Sequence, residues 1–187
     1  MKKTILTLVV ALMASVNAMA GSDLKMESGS VKELKGSGAT ICAVWDYSKS
    51  TIEDKSIKEF LKEKGAEWER DYPAEIKRAE ENFIERLNDK AKKNFTAVSG
   101  DDADYKLVIK VKNFNYGSSS ASIWVGFGAG DARIYGKMEL YKKGEAKPLA
   151  TFDLDGVSGS GGGNEQRRVE AYRELAELFC DIVKKGK

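Results

Sequence analysis

From Tyr105 to Val111 the chain alternates with a period of two: Tyr105, Leu107, Ile109 and Val111 are apolar, and Lys106, Lys110 and Lys112 fall on the other phase. Successive side chains of a strand point to opposite faces, so this pattern demands a strand with one face buried and the other in water. The same phase returns after a glycine-rich turn from Trp124 to Gly130. There Ala132, Ile134, Met138 and Leu140 oppose Arg133, Tyr135, Lys137 and Glu139. A polar stretch over 142–148 reads as a hairpin loop, and Ala150, Phe152 and Leu154 mark a last strand before a Ser/Gly-rich segment ending at Gly163.

Around this block the period changes. Residues 39–45 are apolar on both phases, the pattern of a central strand covered on both sides. Ile57, Phe60, Leu61 and Lys64 share one helical stripe that Gly65 would end. Trp68, Tyr72, Ile76, Ala79, Phe83, Leu87 and Ala91 then recur every three or four residues, which predicts the main helix, with Pro73 in its first turn or at a kink. A short strand is expected over 95–99. A closing helix is expected from Asn164, as N-cap, to Lys184, on the stripe Val169, Tyr172, Leu175, Ala176, Phe179 and Val183. The order implies an α+β, two-layer sandwich: a mostly antiparallel sheet of about four to five strands with two main helices packed on one face.

Residues 1–20 have the form of a removable export signal: Lys2 and Lys3, an apolar run from Ile5 to Met13, and the small-residue site Ala18-Met19-Ala20. Gly21 follows where a lipid-anchored bacterial protein needs a cysteine, so the expected product has no membrane anchor and is periplasmic or secreted. Residues 21–38, rich in Ser, Gly and charge, read as a flexible leader, and 39–187 as a single domain. Of 31 Lys and Arg, two lie in the signal, leaving 29 against 29 Asp and Glu. Acids and bases are interleaved, which disfavours nucleic acid as a partner. Cys42 and Cys180 could pair in an oxidising compartment or stand as two separate buried thiols, and spacing does not choose between them.

The chain has no histidine, which removes Ser-His-Asp and Cys-His catalysis, imidazole acid–base chemistry and histidine-ligated zinc. Asp101, Asp102 and Asp104, and Asp153 with Asp155, lack the ligand spacing of a calcium loop, so no metal is expected. Gly126, Gly128 and Gly130 resemble a dinucleotide-binding loop, but that loop must open a helix and here a strand follows. They read as structural glycines, and no cofactor is expected. Ser158 to Gly163 precedes a helix but lacks the Lys and Ser/Thr of a phosphate loop, so it reads as a linker.

The run from Ala103 to Val111, the segment Trp124, Gly126, Phe127, Gly128, Ala129, Gly130 and Ala132 with Arg133 beside it, the turn at 143–145 and the final helix together resemble a family of exported bacterial domains of unknown function. More distantly, the element order is similar to the amino-terminal α/β domain of TolB and to the periplasmic part of the curli secretion channel. The resemblance implies a non-enzymatic interaction module of the cell envelope. It would act on an envelope protein, or alternatively bind a small molecule or glycan, with Trp124, Phe127 and Arg133 as the candidate contact residues.

Overall fold

The computed structural model describes residues 23–117 and 130–186. In chain order these form β1 (Leu24–Gly29), a short 3-10 turn (Lys32–Leu34), β2 (Ala39–Asp46), β3 (Thr51–Ile52), β4 (Lys55–Ser56), α1 (Ile57–Lys64), α2 (Ala66–Ala91), β5 (Phe95–Val98), β6 (Tyr105–Asn115), β7 (Ala132–Lys142), β8 (Ala150–Gly159) and α3 (Asn164–Lys185).

The strands make one eight-stranded sheet in the order β1-β8-β7-β6-β2-β5, with β3 beside β6 and β4 paired to β3. It is mixed: β2 runs parallel to β5 and β6, and β3 parallel to β6, whereas β1–β8, β3–β4, β6–β7 and β7–β8 are antiparallel. The expected mostly antiparallel sheet of about four to five strands is therefore overturned, although the α+β class stands. The cause is the route of the chain. Neighbouring parallel strands need a long crossover, and α1 and α2 supply it between β2 and β5.

The other missing strands were invisible to periodicity. β3 and β4 are two residues each, too short to show an alternation. β1 lies inside the stretch expected to be a flexible leader. It is ordered because it pairs with β8 from Leu24↔Leu154 to Gly29↔Ala150, and because Leu24, Val31 and Leu34 are buried in the core.

One face of the sheet is covered by α2 and α3. Leu107, Ile109, Ile134, Met138, Phe152 and Leu154 point into that layer and meet Phe83 and Leu87 of α2 and Tyr172, Leu175 and Phe179 of α3. The Phe179 ring lies 5.9 Å from Phe95 and 5.8 Å from Phe152, and so joins sheet positions far apart in sequence. Trp45 is clamped edge-on to Phe83 at 5.1 Å and stacked on Tyr172 at 4.6 Å.

The helix ends follow local chemistry. Ser56 and Glu59 form a reciprocal capping box at the start of α1, and Gly65, at φ 100°, separates α1 from α2. Pro73 lies within α2 on its exposed side, beyond the first turn where it was expected. Gly163, not Asn164, is the N-cap of α3, and Asn164 spends its side-chain oxygen on Arg167.

The Ser/Gly segment after β8 is only partly a linker, because β8 runs on to Gly159 beneath the first turns of α3. A methyl group at Gly159 would lie 2.2 Å from both Ala171 N and Arg167 O, so this contact of sheet and helix requires glycine. Gly159→Ala is expected to lower unfolding stability by about 1–3 kcal/mol or more, read as a lower urea midpoint at unchanged slope.

Candidate functional site

No helix among the described residues covers the opposite face of the sheet. Lys106, Val108 and Lys110 of β6, Tyr135, Lys137 and Glu139 of β7 and Asp153 and Asp155 of β8 share it, as register pairs such as Lys110↔Lys137 and Lys137↔Asp153 require. Its centre is an open trough of about 620 Å3, lined by Asp46, Lys49, Lys112, Tyr135 and Gly136 among others.

Two irregularities of the ladder shape the trough. Register slips between Val111 and Asn113, leaving Lys112 as the extra residue of β6, and again opposite Ile134 and Tyr135, leaving Gly156 as the extra residue of β8. Such bulges bend a strand and re-aim its side chains, and Gly156 takes φ 78° to allow one. Between them the backbones of β6 and β7 come so close that a methyl group at Gly136, on the phase of Ile134 and Met138, would sit 2.2 Å from the Lys110 carbonyl oxygen.

The charges on this face are organised in pairs. Lys110 Nζ donates to both oxygens of Glu139 at 2.7 Å, and Tyr141 Oη donates to Oε2 at 2.6 Å. Burial works to raise the Glu139 carboxyl, but these hydrogen bonds outweigh it and hold the group below the usual range. Lys137 pairs with Glu27 at 2.8 Å and Lys25 with Asp155 at 3.7 Å, both exposed to water and worth little to stability. Beyond Lys110 a second depression of about 380 Å3 is lined by Asp101, Lys106 and Tyr141.

Sequence reasoning missed two buried polar clusters on the helix-covered side. Arg168 is 1 % exposed, and its guanidinium carbon lies 4.2 Å from the Phe114 ring, 4.7 Å from Tyr116 and 4.9 Å from Tyr72. Its Nε is 3.0 Å from Glu75 Oε1, an electrostatic contact poorly angled for a hydrogen bond, and its Nη2 donates to Tyr116 Oη. Burial works against the charge; the tyrosine oxygens and Glu75 keep it protonated. Arg167 donates from Nε to the Tyr116 carbonyl at 2.8 Å. The two arginines thus hold the residue that follows β6. In the second cluster Tyr47 Oη donates to Glu80 at 2.8 Å and lies 3.0 Å from Tyr172 Oη.

A family model described as a domain of unknown function (DUF4410) matches residues 44–162. The chain belongs to that family. The curated proteins contain no match. Among solved structures the chain is similar to the PelC dodecamer of Paraburkholderia phytofirmans, at 12 % identity and a TM-score of 0.45, over 83 % of this chain and 95 % of that one. A substituted PelC dodecamer in another crystal form matches at 11 % identity and a TM-score of 0.42, with the same coverage.

Of the residues singled out within this family segment, Trp124, Gly126, Phe127 and Gly128 lie outside the described residues. Gly130 is buried in the turn that enters β7, and Arg133 of β7 reaches back to donate to the Gly156 carbonyl at 3.3 Å. Cys42 and Cys180 are both free, buried thiols. Cys42 pairs in register with Lys106 on the uncovered side of the sheet, whereas Cys180 packs in α3 with its thiol 3.7 Å from the Leu87 carbonyl, and burial pushes it up to about 12. Asp102 is engaged by Lys143 at 2.6 Å, and Asp104 accepts the Thr40 backbone and hydroxyl at 2.8 Å, so these acids do not converge with Asp153 and Asp155. No helix among the described residues is long and apolar enough to cross a membrane.

Burial raises the Glu80 carboxyl above its ordinary value of 4.5; the Tyr47 hydrogen bond opposes this and Glu81 adds to it. A raised carboxyl stabilises the fold only while protonated, so its contribution is present below about 4.5 and lost as pH rises through the folded value. Glu80→Gln keeps the acceptor for Tyr47 without the charge. Denaturant titrations should find the variant more stable than wild type near neutral pH, with the gap closing on acidification.

Proposed function

We propose that this chain is an exported, non-catalytic binding module of the bacterial cell envelope, working through the uncovered face of its sheet. The observation that carries the reading is that face itself: lysines, carboxylates and tyrosines stand around an open trough of about 620 Å3. Concave sites with a few convergent polar groups are where ligands bind. The absence of histidine from the sequence and the engagement of Glu139 by Lys110 and Tyr141 support binding over catalysis. Both signs of charge line the trough, which suits an envelope protein with a mixed surface. A second reading, a glycan ligand, is favoured by Tyr135 standing beside Asp153 and Asp155, an aromatic plane flanked by hydrogen-bond acceptors.

Affinity capture from solubilised envelope should lose its specific partner in the variant Tyr135→Ala/Asp153→Ala, with folding checked by circular dichroism. If the folded variant retains every partner, the face is not the working surface. Calorimetry with a panel of neutral oligosaccharides separates the readings, since heat that disappears in the same variant identifies a glycan. Export has its own check: the protein recovered from the periplasm or medium should begin at Gly21, and recovery only from the cytoplasm beginning at Met1 refutes it.

A further inference from the structure

The two edges of the sheet are treated differently. At the β5 edge, Asn88 of α2 acts as a substitute strand: its Nδ2 donates to the Ala97 carbonyl at 3.0 Å, and Ala97 N donates to its Oδ1 at 2.7 Å. At the other edge no strand among the described residues lies beyond β1. Asp155 N donates to the Asp23 carbonyl at 2.9 Å, and backbone groups alternate in direction along an antiparallel strand. Lys25 therefore faces β8 with its backbone, and Met26 turns its N–H and C=O outward.

The side chains at this edge are self-complementary. Lys25 and Glu27 stand on the uncovered side of the sheet, where they reach Asp155 and Lys137, and Met26 lies between them on the helix side. There Met26, Leu178 and Ile182 are partly buried apolar residues around a depression of about 340 Å3, rimmed by Lys25, Asp181 and Lys185.

We propose that β1 pairs antiparallel with β1 of a second copy of the chain about a two-fold axis at Met26, which extends one sheet through both molecules. This is isologous strand addition. In that register Met26 meets the partner's Met26 through paired backbone hydrogen bonds, and Lys25 lies opposite the partner's Glu27, twice over. The apolar strip of Met26, Leu178 and Ile182 faces its own copy. A lysine and a bulge on an edge strand discourage indiscriminate pairing, and β1 has both, with Glu27 as the extra residue. Centred on Met26, the pairing sets each lysine opposite a glutamate, which a partner strand of unrelated sequence does not. The inference does not rest on the trough as a binding site, although Lys25 and Glu27 contact its lining residues Asp155 and Lys137.

Sedimentation equilibrium of the protein lacking residues 1–20 tests it. Wild type is expected to dimerise. Lys25→Glu and Glu27→Lys should each weaken dimerisation by about tenfold or more, because two attractive cross-strand pairs become repulsive in each. Mixing the two variants should restore a heterodimer, since every facing pair is then of opposite sign. Thermal melts confirm that each variant is folded. A wild type that stays monomeric, an assembly larger than a dimer, or association insensitive to the swaps and to their mixing each overturns the proposal.

Discussion

The structure depends on burying one face of a single sheet beneath one layer of helix. Phe83 and Leu87 of α2 and Tyr172, Leu175 and Phe179 of α3 fill the space over Leu107, Ile109, Ile134, Met138 and Phe152. Burial of large apolar side chains contributes roughly 1.5–3 kcal/mol each, so the strands must keep one phase apolar along their whole length. The second phase is then free of packing demands. That freedom leaves lysines, carboxylates and tyrosines available for contact on the other side.

A sheet that the described helices cover on one side is also open to local distortion on the other. The extra residues Lys112 and Gly156 fall on strands flanking β7, at the height of Gly136. The result is a concavity in what would otherwise be a twisted plane. Its walls belong to β2, β6, β7 and β8, so it exists only in the assembled sheet.

The paired arginines at the start of α3 connect the layers at the end of β6. Arg168 spends its charge inside a ring of Tyr72, Phe114 and Tyr116 with Glu75 beside it, and Arg167 takes the Tyr116 carbonyl. A buried charge of this kind costs several kcal/mol if its partner is removed. Both the helix and the strand end must be in place before its contacts are satisfied.

The sequence by itself determined the long strands β6, β7 and β8, the helices α1, α2 and α3 and the division into wet and dry faces, because each is written as a local period of two or 3.6. It also excluded imidazole chemistry, since a missing residue type needs no structure to read. Only the tertiary structure decided that the sheet is mixed and, among the described residues, eight-stranded, that the Leu24–Gly29 segment is a strand, and that Arg167 and Arg168 are buried. Those features depend on partners 50 to 130 residues away, as in Arg168 to Tyr116 and Lys25 to Asp153, and a local pattern holds no record of them. The trough belongs with them, because a bulge is a relation between two strands and not a property of either.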